Sequence, residues 1–152
     1  MTTPSDSSSA MTKHSRLLAL AKQRQQECWP GYKSLADYFG GVYECDFVSP
    51  LTKTAGNVDA VIMVLLQDWS SDDELSQGLD ENTLRLGYDP TQPTGRNLER
   101  FLNTTFGLSL ADIYGTNVFP FIKSGGVSRR IPARDLIKAA LEFALPPTSP
   151  QI

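Results

Sequence analysis

The chain of 152 residues has one histidine, two cysteines and no apolar run that approaches a membrane helix, which needs about 18 residues. His14 stands alone in a polar N-terminal region, so paired-histidine metal sites and histidine acid–base pairs are excluded. Cys28 and Cys45 form no CxxC or CxxH pattern and no disulfide framework. They read as free, mostly buried thiols of a reducing cytoplasm. Met1 to Ala10 contains no apolar segment, so no secretory signal is visible. Internal repeats are absent. An excess of positive charge is also lacking: 20% of residues are charged, an ordinary share, and the net value of −3 argues weakly against a nucleic-acid binder.

What is present is one domain's worth of chain, 40% hydrophobic, enough to bury a core. Its charge is segregated. Residues 1–58 carry a balance of +1, residues 59–90 of −7 and residues 91–152 of +3. A cationic patch is therefore confined to the last third, around Lys123, Arg129, Arg130, Arg134 and Lys138. The competing reading is an ordinary solvated surface.

The centre of the pattern is Asp59-Ala-Val-Ile-Met-Val-Leu-Leu66, running into Gln67-Asp68-Trp69. An unbroken apolar run of this length predicts a strand buried on both faces, as in a parallel sheet covered by helices. Gln67 and Asp68 then stand at its carboxyl edge, where open α/β sheets bind ligands. Asp68 is either a ligand-facing carboxylate or a turn cap. A dinucleotide-binding domain fits poorly, because no glycine-rich turn follows the strand.

Around this strand the remaining elements fall in order. Residues 1–12 are Ser/Thr-rich and predict a disordered tail. Lys13 to Glu27 predicts an amphipathic helix, and Tyr32 to Phe39 a second, short one. Val42 to Pro50 reads as extended. Ser70 to Gln92 is polar and irregular, a loop long enough to be functional or mobile. Thr94 is the expected N-cap of a helix whose apolar face is Leu98, Phe101, Leu102 and Phe106, with Gly107 as its stop. Ile113 to Val118 predicts a second buried strand. Pro132 opens a final helix to Leu145, with Leu136, Ile137, Ala140, Leu141 and Ala144 as its buried stripe.

Four stretches together carry a resemblance: Asp46-Phe-Val-Ser-Pro50, Val64-Leu-Leu-Gln-Asp-Trp-Ser-Ser71, Thr94-Gly-Arg-Asn-Leu-Glu-Arg-Phe-Leu102 and Tyr114-Gly-Thr-Asn-Val-Phe-Pro-Phe121. In this order the chain resembles the uracil-DNA glycosylase superfamily, nearest to a group of bacterial uracil-DNA glycosylase-like proteins. The resemblance implies a three-layer α/β fold with a parallel sheet of order 2-1-3-4. Only the first part of it would be present, as a partial domain over residues 13–152 lacking the C-terminal strands.

The same resemblance implies a chemistry, the hydrolysis of the N-glycosidic bond of uracil in DNA during base excision repair. Asp68 matches the family's water-positioning carboxylate, with Gln67 beside it, and Asn117 matches the amide that reads the flipped base. An amide offers both a donor and an acceptor to a pyrimidine edge. Leu66 and Trp69 depart from the family's Gly and Pro. Trp69 and Tyr88 are candidates for stacking on the base, and Arg96, Lys123, Arg129 and Arg130 for contacting DNA. The C-terminal His-Pro-Ser motif, whose histidine stabilises the departing base, is absent. The expectation is therefore a DNA glycosylase-like hydrolase domain of weak or no activity, partnered by uracil-containing DNA. The alternative is a non-catalytic interaction module whose uncovered sheet edge takes a protein partner or a second copy. No cofactor is expected, because an iron–sulfur cluster needs four cysteines, and no membrane association.

Overall fold

The structure, a computed structural model, describes residues 11–144. Residues 1–10 of the expected tail, and the last eight residues of the domain, lie outside that range. Thr12 caps helix α1 (Lys13–Gln26) by accepting from the Ser15 amide at 3.1 Å, the usual service of an N-cap hydroxyl. Arg24, 1% exposed, leaves that helix to grip the segment before Ser49. Its guanidinium donates to the carbonyls of Cys45 at 2.8 Å and Phe47 at 2.9 Å and to Glu44 Oε1 at 2.5 Å. The expected helix over Tyr32 to Phe39 is only a pair of single 3₁₀ turns, Leu35–Asp37 and Phe39–Gly41. Tyr38, in extended backbone, separates the two turns, and Gly40 and Gly41, both at positive φ, follow.

Strand β1 (Met63–Asp68) lies parallel to β2 (Tyr114–Phe119), with Met63 opposite Tyr114, Leu66 opposite Asn117 and Asp68 opposite Phe119. The chain is thus α/β with a parallel pair of strands. Past the strand ends the two segments continue side by side. The Asp72 amide donates to the Lys123 carbonyl at 2.9 Å and the Asp73 amide to Gly125 at 3.1 Å.

Burial corrects the reading of β1. Val64, Leu66 and Asp68 face inward, but Met63 and Leu65 are 51% and 45% exposed and Gln67 is exposed with them. The strand is covered on one face only. Among the described residues β2 is its sole partner, whereas β2 itself is buried almost throughout.

The polar stretch after β1 is more ordered than its composition suggested, holding helices α2 (Asp72–Leu75) and α3 (Glu81–Leu86). Asp80 caps the second by accepting from the Thr83 amide at 2.9 Å. Helix α4 (Pro93–Phe106) begins two residues earlier than expected. Gln92 is its N-cap rather than Thr94, because Pro93, with no amide hydrogen, takes the first position. Its buried face is Leu98 and Leu102, while Phe101 and Phe106 stack edge to face on the solvent side.

Helix α5 (Ala133–Ala139) runs on as a wider π turn, Ala140–Ala144. That turn rotates the expected stripe. Leu136, Ala139 and Phe143 face the core, packed with Trp29, Phe119 and Phe121. Ile137 and Leu141 are more than half exposed.

Two glycines set the close approaches that matter for the cleft. Gly87 ends α3 at φ 77°, and a Cβ there would lie 1.7 Å from the Pro50 carbonyl oxygen. Gly115 in β2 lets the 3₁₀ turn Pro50–Lys53 and the residues after it lie against the strand, since a Cβ would meet Leu51 Cδ2 at 3.3 Å and the Cβ of Ala55 at 2.8 Å. Thr52 seals this contact by donating to the Gly115 carbonyl at 2.7 Å. The run Val42 to Pro50, expected to be extended, forms no strand. Its end is carried by that turn over β2, bringing Ser49 onto Asn117.

Candidate functional site

The carboxyl ends of β1 and β2 open into a cleft of about 480 Å³ whose walls include Leu66, Asp68, Trp69, Tyr88, Asn117 and Val127. Four of the residues singled out by the sequence therefore converge. Asp68 comes from the last position of β1, and Asn117 from the position of β2 that faces Leu66. Parallel pairing accounts for the meeting of these two, because it brings both strand ends to one edge of the sheet.

Asp68 is not free in this cleft. Its Oδ2 lies 2.7 Å from Lys123 Nζ, with the two side chains 15% and 5% exposed. Lys123 also donates to the Val127 carbonyl at 2.5 Å. A lysine expected to meet DNA is thus withdrawn from the surface. Pairing of Ser71 with Lys123, one strand extension beside the other, places the ammonium over the carboxylate. A buried charge needs such a partner.

Asn117, 1% exposed, sits at the base of the cleft. Its Oδ1 accepts from the Ser49 hydroxyl, and among the described residues its Nδ2 has no partner. Ser49 Oγ in turn accepts from the Leu51 amide at 3.3 Å. Arg24 Nη1, Ser71 Oγ and Thr116 Oγ1 are likewise without partners among the described residues; Asn117 is distinguished from Arg24 and Thr116 by lining the cleft.

The aromatic walls are held by hydrogen bonds. Trp69 donates its indole N–H to the Gly87 carbonyl at 2.7 Å, and its ring meets Tyr43 edge-on at 5.5 Å. Tyr88 donates to Glu99 of α4, and burial together with that carboxylate raises the phenol to about 12. Glu74 and Asp89 add negative charge to the rim.

The other expected contacts lie elsewhere. Gln67 points to the exposed side of β1 and does not line the cleft. Arg96, Arg129 and Arg130 are exposed, the last two on the loop before Ile131. Arg134 and Lys138 are tied to Asp135 and Glu142, and Lys138 also lies over the Trp29 ring. Cys28, expected to be buried, is exposed, and Cys45 is partly covered. Among the described residues no cluster of three or more His, Cys, Asp or Glu could hold a metal ion, and no helix is long and apolar enough to cross a membrane.

Three contributors were not assigned a role by sequence: Ser49, Glu99 and, as the partner of Asp68, Lys123. Ser49 has a weak local signal, a serine before proline at a turn start. The other two are joined to the cleft only through the tertiary fold. Compared with family models, curated proteins and solved structures, the chain matches none.

Proposed function

We propose that the cleft is a pyrimidine-binding site, and that the domain is a uracil-DNA glycosylase-like module with the beginning of that family's three-layer, 2-1-3-4 sheet. One observation carries this reading: a carboxylate and an unpartnered amide donor, from the ends of two adjacent parallel strands, line a single cleft with two aromatic rings. Trp69 and Tyr88 supply flat apolar surface to a base, and Asn117 supplies a hydrogen bond to its edge.

In the hydrolysis that this arrangement suits, water attacks the anomeric carbon and the C1′–N1 bond breaks. The bonding electrons leave with the base. Asp68, with Oδ2 held by Lys123, offers Oδ1 to orient the water and stabilises positive charge on the sugar. No group in the cleft matches the family's histidine, and His14 belongs to α1. Losing one such donor costs about a hundredfold or more in rate. The reading is therefore base binding with excision at trace level.

The test uses fluorescent single-stranded oligonucleotides, one with a single uracil and one with cytosine in its place. Preferential binding of the uracil strand, lost in Asn117→Ala, is expected, together with only trace release of base. Equal binding of both strands would overturn the site assignment. Robust release abolished by Asp68→Asn would overturn the claim of weak catalysis.

A second reading, a non-catalytic interaction module, draws on the exposed apolar face of β1, where Val61 is fully exposed beside Met63 and Leu65. It differs from the first in that Met63→Lys would change association and leave base binding intact.

A further inference from the structure

We infer that Ser49 is the positioning residue that fixes which end of the Asn117 amide faces the cleft, and so makes the site select a ring bearing an oxo group over one bearing an amine. The inference rests on the pyrimidine reading of the cleft and adds to it a residue outside both strands.

Ser49 is 1% exposed, so its one proton and its lone pairs must be satisfied within the protein. The Leu51 amide, 3.3 Å away, already donates to Oγ. What remains is the hydroxyl proton, which requires an acceptor. Oδ1 of Asn117 is that acceptor. Turning the amide over would set an N–H donor against the hydroxyl and leave its proton without a partner, at the usual cost of a buried unsatisfied group.

With Oδ1 committed to Ser49, the group left over is Nδ2, and it is the atom without a partner. An N–H donor at the base of a cleft donates to a carbonyl oxygen of a ligand. It is poorly matched to an exocyclic amine, which also presents N–H. Uracil and cytosine differ in that respect at ring position 4, so with that position set against Nδ2 the orientation of one amide becomes a chemical choice between two bases.

Ser49 is itself held in place from several sides. Arg24 grips the carbonyls of Cys45 and Phe47 on its N-terminal side. On its C-terminal side the turn Pro50–Lys53 is locked to β2 through Thr52 and Gly115. The hydroxyl therefore has little freedom to follow the amide if the amide turns.

The experiment is a ¹⁵N NMR titration of the full 152-residue chain with uracil and with cytosine, following the side-chain amide of Asn117 in wild type, Ser49→Ala and Ser49→Thr. Wild type is expected to bind uracil about tenfold more tightly than cytosine, the worth of roughly one hydrogen bond. Ser49→Ala should shift the Asn117 amide resonance and bring the ratio close to one, and Ser49→Thr should restore both. An unchanged resonance and ratio in Ser49→Ala would overturn the role of Ser49. A resonance that moves in the alanine variant and returns in the threonine variant, in a protein that binds neither base, would uphold the positioning and overturn the pyrimidine reading instead.

Discussion

Removing the Lys123 ammonium while keeping its stem, as in Lys123→Met, isolates the charge that faces Asp68. At the observed 2.7 Å, an effective dielectric of about 20 gives an attraction of about 6 kcal/mol. Desolvation of both groups offsets much of this, and the 15% exposure of Asp68 admits water that the loss of its partner would recruit. Breaking a fully buried pair costs about 3–5 kcal/mol. The expected loss here is accordingly smaller, about 2–4 kcal/mol, and the bond to the Val127 carbonyl goes with it. Asp68→Asn should cost a similar amount, since it leaves the lysine buried against a neutral amide. The double variant removes both charges. It should fall short of the summed single losses by about 2 kcal/mol, the signature of a direct pair. Urea unfolding with linear extrapolation measures all three, and unchanged slopes would show that the unfolding transition is the same. Because the pair is shielded, the losses should persist at high salt. Single losses that add to within about 0.5 kcal/mol would refute the claim that Lys123 holds the carboxylate.

Three further outcomes follow from the surface and the rings. With Lys123 withdrawn and Arg129 and Arg130 the exposed bases of its loop, nucleic-acid binding should be weak and collapse with salt; tight binding at high ionic strength, read by fluorescence anisotropy, would contradict this. The exposed face and unpaired edge of β1 should make the chain self-associate, so sedimentation should show Met63→Lys and Leu65→Lys shifting it toward monomer. A wild-type monomer with a sharp, high-temperature unfolding transition would refute that view. Tyr88 ionises at about 12 in the fold against an ordinary 10.0, so its contribution is complete below pH 10 and is lost as pH rises to 12. Tyr88→Phe should reduce that slope of the stability profile in alkaline unfolding experiments, leaving the share of Tyr32, Tyr38 and Tyr114, whose phenols burial likewise raises.

The two strands could be read from the chain, because each is written in local sequence, and the unbroken apolar run pointed to a parallel sheet; the meeting of Asp68 with Asn117 was expected from the resemblance alone. An apolar run defines a strand, and polar residues mark its ligand-facing end. The side of a strand that meets water is not written there. Ala60 to Leu66 is apolar at every position, yet Met63 and Leu65 are exposed, since covering both faces requires layers that the described residues do not supply on that side. Lys123 illustrates the same limit from the opposite direction. Its neighbours Phe121 and Ile122 announce a buried segment, but a lysine after them reads as the return to solvent. Only the pairing of Ser71 with Lys123 across two chain segments puts a carboxylate within its reach and makes burial affordable. Ser49 was visible within a quoted motif and still carried no role, because its partner lies 68 positions away. Composition and period thus specify the elements, whereas the protonic and ionic state of the cleft is set by contacts between segments distant in the chain. Those contacts also determine its chemistry: Asp68 and Asn117 are shared with any strand-end carboxylate and amide, and it is Lys123 and Ser49 that decide what each of them can offer a ligand.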